Sequence, residues 1–293
     1  MAKITMAGSY VALITPFTES DEVDYAKIEE LVEWHVVEGT SGIVPCGTTG
    51  ESPTLSEEET RKVIQTVVNK AAKRIQVIAG AGANCTKKAV HLTQQAKELG
   101  CDGVLSVIPY YNKPTQEGLY AHFKAVADVG IPVMLYNIPG RCAGPGLSSA
   151  TIAKLAELPA VVAVKEATGS LDFASEIASA CSIQILSGDD SLTVPLMSIG
   201  GTGVVSVAAN IAPRKVADLC MAMRAGDLAG ARKLHFELYR LCKVMFLETN
   251  PIPVKAAGAL MGKWRNSCRL PMTTLTAANE ATLRAALQAA GLL

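Results

Sequence analysis

Apolar and polar residues alternate between two patterns along this chain. Short unbroken apolar runs stand at residues 10–15, 42–46, 76–81, 103–109, 132–138, 161–165, 184–187 and 203–208. A strand buried on both faces reads as such a run, and that is how the strands of a parallel sheet read. The runs recur every 20 to 35 residues or so, roughly the length of a strand with its crossover helix. Between them the pattern is helical. Ser56 with Glu59 forms a capping box and opens a helix reaching about Lys73. Thr86 is expected to cap a second helix that ends at Gly100. Thr115 precedes a third that ends at Gly130, and Ser148 or Ser149 precedes a fourth that stops before Pro159. Strands alternating with helices make an α/β fold, and eight such units predict a closed (β/α)8 TIM barrel rather than an open sheet. No GxGxxG follows the first run, as a dinucleotide-binding sheet would require.

Past residue 224 the apolar runs stop. Residues 227–247, 253–261 and 276–290 read as three helices with no strand between them. The expected division is a catalytic barrel over residues 1–224 and a C-terminal helical region over 225–293. That region either covers the barrel wall or builds a subunit contact.

Composition narrows the function classes. The 27 basic residues balance 27 acidic ones, which argues against a nucleic-acid binder with a basic surface. Charged residues are 18% and apolar residues 49%, so a large core is available and part of the apolar excess is expected to be covered by partner subunits. The N-terminal MAKITMAGSYVALITPF lacks the long apolar centre of a signal peptide, and no run is long enough to span a membrane. None of the eight cysteines has another within four residues, and none of the four histidines lies at HExxH spacing. Reduced thiols, a cytoplasmic location and no metal site are the expectation.

The chemistry concentrates where apolar runs end. Val161-Val162-Ala163-Val164-Lys165 places a lysine at the C-terminal end of a strand, where barrel enzymes keep their sites. Strand alternation puts Val161, Ala163 and Lys165 on one face. An apolar interior disfavours the charged form of an amine, and a neutral amine attacks carbonyl carbon. On the preceding strand Tyr136, if it also points inward, brings a phenol near that amine for proton transfer, since neighbouring strands lie about 4.8 Å apart. The second run ends in Gly47-Thr48-Thr49-Gly50-Glu51, whose exposed amides and hydroxyls suit a carboxylate. The fourth ends in Tyr110-Tyr111-Asn112. Its adjacent tyrosines must diverge, so one can enter the site and the other a subunit contact.

Together Gly47–Glu51, Tyr136-Asn137-Ile138-Pro139 and Lys165, 29 residues past Tyr136, resemble the pyruvate-dependent class I aldolases, the superfamily of dihydrodipicolinate synthase and N-acetylneuraminate lyase. The similarity runs from about Gly8 to Leu293 and includes Pro109–Asn112, Ser187-Gly188-Asp189-Asp190, Gly203–Val207 and Asn250-Pro251-Ile252-Pro253-Val254-Lys255. It implies that Lys165 forms a Schiff base with pyruvate and that Tyr136 is the central proton donor and acceptor. Thr48 and Tyr111 would complete a relay, the tyrosine reaching across a tight dimer within a homotetramer. Thr49 would hold the pyruvate carboxylate and Arg141 the carboxylate of aspartate semialdehyde, with Gly188 and the Val205 carbonyl lining the pocket. No cofactor is implied. At the positions of the family's lysine-regulatory site, Ser52, Asn84 and Tyr110 match, whereas Glu57, Thr60 and Lys88 depart from lysine-inhibited relatives. Lys88 would repel an incoming lysine ammonium.

Three other functions compete. A sugar-acid lyase of the same superfamily is disfavoured by Arg141, which resembles the synthases. A non-catalytic sensor on a barrel scaffold would leave Lys165 unmodified by pyruvate. A phosphate-binding isomerase is suggested by Gly200-Gly201-Thr202-Gly203, but no arginine or lysine closely precedes that loop.

Overall fold

Eight strands pair in chain order and the last returns to the first. In the computed structural model, which describes residues 4–293, these are β1 (Gly8–Ala12), β2 (Gly42–Val44), β3 (Gln76–Gly80), β4 (Gly103–Val107), β5 (Val133–Asn137), β6 (Val161–Glu166), β7 (Gln184–Ser187) and β8 (Gly203–Ser206). All are parallel and the barrel is closed, as the eight apolar runs predict. β1 begins ahead of its run because Gly8 and Ser9 pair with Gly203 and Val204 of β8. Around the strands lie α1 (Tyr25–Val37), α2 (Glu57–Ala71), α3 (Thr86–Glu98), α4 (Gln116–Ala127), the single turn α5 (Pro139–Cys142), α6 (Ser149–Ala156), α7 (Leu171–Ala180), α8 (Thr193–Ser198) and α9 (Pro213–Arg224). Then come α10 (Leu228–Val244), α11 (Ile252–Leu260) and α12 (Ala277–Ala289). Among the described residues no helix is long and apolar enough to cross a membrane, and all eight cysteines are free thiols.

The caps explain where helices start. Both bonds of the capping box are made, from Glu59 N to Ser56 Oγ at 3.1 Å and from Ser56 N to Glu59 Oε2 at 2.8 Å. Thr115 and Ser148 cap α4 and α6 through Gly118 N and Thr151 N. Thr86 does not cap α3, contrary to expectation. Cys85 holds the cap position without a side-chain bond, and the Thr86 hydroxyl pairs with His122 Nδ1 at 2.9 Å. The buried imidazole has no water to turn to, whereas an exposed helix N-terminus has.

Two apolar layers form. One fills the barrel, with Tyr10, Ile78, Leu105, Met134 and Val205 among its members, and the other joins strands to helices. A register shift decides which residues of β6 face inward. Val133 pairs with Val161 but Met134 pairs with Ala163, leaving Val162 as an extra residue. Strict alternation therefore fails at the start of β6: Val161 lies in the outer layer, while Ala163 keeps the inner face. The β8–β1 seam is stitched by Asn210, which accepts from Ile14 N at 3.1 Å and donates to the Ala12 carbonyl at 2.8 Å.

The C-terminal helices add Leu238, Leu241, Val254 and Leu283 to the outer layer. Past α11, Arg269 turns the chain back over the segment that precedes α2. It donates to both Glu59 oxygens at 2.6 and 2.9 Å, to the Thr54 carbonyl at 3.0 Å and to the Asp21 carbonyl at 2.7 Å. These bonds hold the Glu59 carboxyl down at about 2. The folded value lies below the unfolded one, so the pair stabilises fully above about pH 4.5 and loses its contribution as pH falls towards 2. Glu59→Gln is expected to lower the melting temperature at pH 7 by the equivalent of about 1 kcal/mol, the worth of a partly exposed, salt-screened pair. Melting curves between pH 7 and pH 2 should show that difference shrinking across this window. A gap unchanged at pH 2 would contradict the account.

Candidate active site

The C-terminal ends of the strands form one mouth, and the chemistry-bearing residues gather there. Tyr136 on β5 and Lys165 on β6 are direct partners in the ladder. The Lys165 Nζ lies 4.2 Å from the centroid of the Tyr136 ring. Lys165 is only 6% exposed, and the Ala163 side chain below it is wholly buried. This amine is therefore set within the barrel beside a phenol, not paired with Glu166. The Glu166 carboxylate turns away and accepts from Thr168 N at 2.8 Å. Burial raises that carboxyl above its ordinary value.

The loop after β2 is held in place along its whole length. Cys46 and Glu51, at its two ends, both adopt the left-handed conformation, with φ of 54° and 55°. Gly80, at the end of β3, passes so close beneath that a Cβ there would stand 2.1 Å from the Cys46 carbonyl oxygen. The Thr15 hydroxyl donates to the Gly50 carbonyl at 2.7 Å. Glu51 is buried and forms an ion pair with Lys255, and its Oε2 accepts from Arg269 N at 2.9 Å. Lys255 is wholly buried, with its ammonium 4.0 Å from the Phe17 ring centroid. Burial pulls that ammonium below its ordinary value, and Glu51 opposes the pull.

A cavity of about 460 Å³ opens at this mouth. Gly47, Thr48, Tyr136, Ile138 and Arg141 form one part of its wall, and Ser52, Glu57, Thr60, Lys88 and Tyr110 form another. The structure thus brings together Thr48, Tyr136 and Arg141, with Lys165 adjoining through the Tyr136 ring. Arg141 sits on α5, and the following loop is fixed by buried Asn137, whose Oδ1 accepts from Leu147 N at 2.9 Å. The Arg141 Nη2 donates to the Asn250 carbonyl at 3.3 Å.

Several expected residues lie off this wall. Thr49 is buried, and its hydroxyl accepts from Asn250 Nδ2 at 3.0 Å. Val205 is wholly buried in the barrel interior, in the same cluster as Tyr136. Gly188 follows β7 and donates its N–H to the Glu166 carbonyl at 2.6 Å. Tyr110 and Tyr111 diverge as adjacent tyrosines should: Tyr110 lines the cavity, while Tyr111 is 85% exposed with φ of 75°. Asn84 is also absent from the wall, and its carbonyl accepts from Asn112 Nδ2 at 2.8 Å. Glu57 is paired with His91 at 2.7 Å. Asn250 and the Glu51–Lys255 pair carry no local signal of their role. Only the Asn-Pro-Ile-Pro-Val-Lys segment as a whole stands out in the sequence.

Known proteins share both this sequence and this arrangement. The dihydrodipicolinate synthetase family profile matches residues 5–290. The 4-hydroxy-tetrahydrodipicolinate synthase of Nitratidesulfovibrio vulgaris (strain DP4) is 52% identical over 290 residues, covering 98% of this chain and 99% of that one. The crystal structure of dihydrodipicolinate synthase from Aquifex aeolicus superposes with a TM-score of 0.96 at 52% identity, over 98% of this chain and 99% of that one. A chloride-inhibited dihydrodipicolinate synthase from Acinetobacter baumannii, complexed with pyruvate, matches with a TM-score of 0.97 at 45% identity, over 99% of this chain and 100% of that one. With the profile, the full-length identity and the closed barrel in agreement, the chain belongs to the dihydrodipicolinate synthetase family.

Proposed function

We infer that this chain is a carbon–carbon bond-forming lyase of the class I aldolase type. It condenses pyruvate with L-aspartate 4-semialdehyde to give 4-hydroxy-tetrahydrodipicolinate, in lysine and diaminopimelate biosynthesis. The observation that carries this reading is a buried lysine amine held against a tyrosine ring at the mouth of a closed barrel. The barrel, residues 1–224, is the catalytic body, and the helical region 225–293 buttresses its mouth. Free thiols at all eight cysteines fit a cytoplasmic location.

The chemistry runs as follows. The Lys165 amine adds to the pyruvate ketone, and loss of water leaves a protonated imine. That imine withdraws electrons, so the adjacent methyl gives up a proton and becomes an enamine. The enamine carbon attacks the aldehyde, whose oxygen takes a proton. The amino group of the semialdehyde then attacks the imine carbon, closes the ring and releases Lys165. Tyr136 is the proton donor and acceptor at each stage, with Thr48 beside it. Thr49 holds the pyruvate carboxylate. The planar Arg141 guanidinium binds the second carboxylate through paired hydrogen bonds. Gly188 and the Val205 carbonyl line the inner end of the pocket. Tyr111 completes the relay from a neighbouring copy in a homotetramer built as a pair of tight dimers. Its exposure supports this, as does its left-handed backbone, a conformation that costs energy in a bulky residue and persists where the surroundings require it.

The cavity that reaches Tyr136 also reaches the six positions where lysine regulates some relatives, Asn84 excepted. There Lys88 lines the space, and Glu57 is engaged by His91. Lysine feedback is accordingly weak or absent.

Three outcomes are expected. Incubation with pyruvate and borohydride should leave a reduced pyruvyl adduct that mass spectrometry places on Lys165, and Lys165→Ala should lose it. An unmodified Lys165 would overturn the mechanism. Arg141→Ala should raise KM for the semialdehyde by about tenfold or more, the worth of charge-assisted hydrogen bonds, while pyruvate trapping persists. An unchanged KM would remove Arg141 from the second-substrate site. Calorimetric titration should detect no lysine binding below about 1 mM. Tighter binding with matching inhibition would contradict the reading of Lys88.

A further inference from the structure

The segment from Asn250 to Lys255 has no part in the chemistry above, yet both its ends grip the loop that carries Thr48 and Thr49. Lys255 holds Glu51 by the buried ion pair. Asn250, 5% exposed, donates from its side chain to the Thr49 hydroxyl and accepts with its main-chain carbonyl from Arg141. A single residue of the C-terminal helical region thus touches both groups assigned to substrate carboxylates, which come from the ends of two different strands.

We propose that Asn250 is a positioning residue that presets the Thr49 hydroxyl as a hydrogen-bond donor for the pyruvate carboxylate, while its main chain sets the reach of Arg141. This rests on the roles given above to Thr49, Arg141 and Lys165. A threonine hydroxyl has one proton and two lone pairs. The Asn250 N–H occupies a lone pair, which leaves the proton free for an anion. An acceptor in the same place would take that proton and turn the hydroxyl away. Aspartate has the shape of asparagine but, when ionised, only acceptors, and it adds a negative charge beside the site of a carboxylate. Asparagine is therefore required for its donor, not for its volume.

The test uses the full-length wild type, Asn250→Ala, Asn250→Asp, Thr49→Val and the double variant Thr49→Val/Asn250→Ala. The initial rate of borohydride trapping on Lys165 is followed against pyruvate concentration, alongside steady-state kcat and KM for both substrates. Asn250→Ala should raise half-saturating pyruvate about fivefold, as loss of one neutral hydrogen bond does. Asn250→Asp should raise it about thirtyfold or more, because a repulsion is added to the loss. Thr49→Val and Asn250→Ala should not add in the double variant, since one acts through the other. Every variant keeps the carbonyl that Arg141 uses, so KM for the semialdehyde should move less than KM for pyruvate. Near wild-type pyruvate dependence in Asn250→Asp, additive single effects, or an equal rise in both KM values would overturn the proposal. Should Asn250→Asp fail to fold, Asn250→Ala and the double variant decide it alone. A wild type that forms no adduct on Lys165 strikes instead at the Schiff-base reading.

Discussion

The pairing of β8 with β1 is the constraint on which everything else rests. An open sheet would spread its strand ends along a line. Closure bends them into one ring, so loops far apart in the chain share a single mouth. The seam is not left to ladder bonds alone. Asn210 ties the turn after β8 to the chain around β1 from both sides. Buried Asp190 accepts from Ser206, Val207 and Ala208, locking the same turn to the end of β7. A polar network of this kind is costly if half satisfied, and here it fixes one geometry. The neighbouring strands β5 and β6 then place Tyr136 and Lys165 in direct register.

The C-terminal region supplies a second level of order. Its residues return to the loop after β2 at three points: Asn250 on Thr49, Lys255 on Glu51, and Arg269 on Glu51 and Glu59. One of these contacts, Lys255 with Glu51, is a charge pair taken out of water. Such a pair is a poor source of net stability compared with apolar packing, but removing either partner strands the other. What it provides is a single permitted position for a loop rich in glycine and small hydroxyls, which would otherwise have many.

Much of this was legible in the order of residues. Parallel strands buried on both faces announce themselves as apolar runs, and all eight were where those runs stand. Capping by Ser56, Thr115 and Ser148 followed from local chemistry that needs no tertiary knowledge. The failures share a cause in long-range contact. Thr86 left its helix end for an imidazole on the next helix, and the extra residue at Val162 moved Val161 to the outer face. Neither event changes local spacing. The positions of Tyr136, Lys165 and Arg141 could be anticipated from strand ends. The burial of Thr49 behind Asn250 could not, because it depends on a segment that arrives only after the barrel is complete.

The shape of the mouth depends on an atom that is missing. With no side chain on Gly80, the Cys46 carbonyl settles directly against β3, and a methyl there would need the space that oxygen fills. The floor of the cavity is therefore set by contact between main chains, which side-chain exchange does not readily adjust. The rim, by contrast, is built from side chains, Ser52, Lys88 and Tyr110 among them, so its chemistry is set by side-chain identity while the depth of the vessel is set by the backbone.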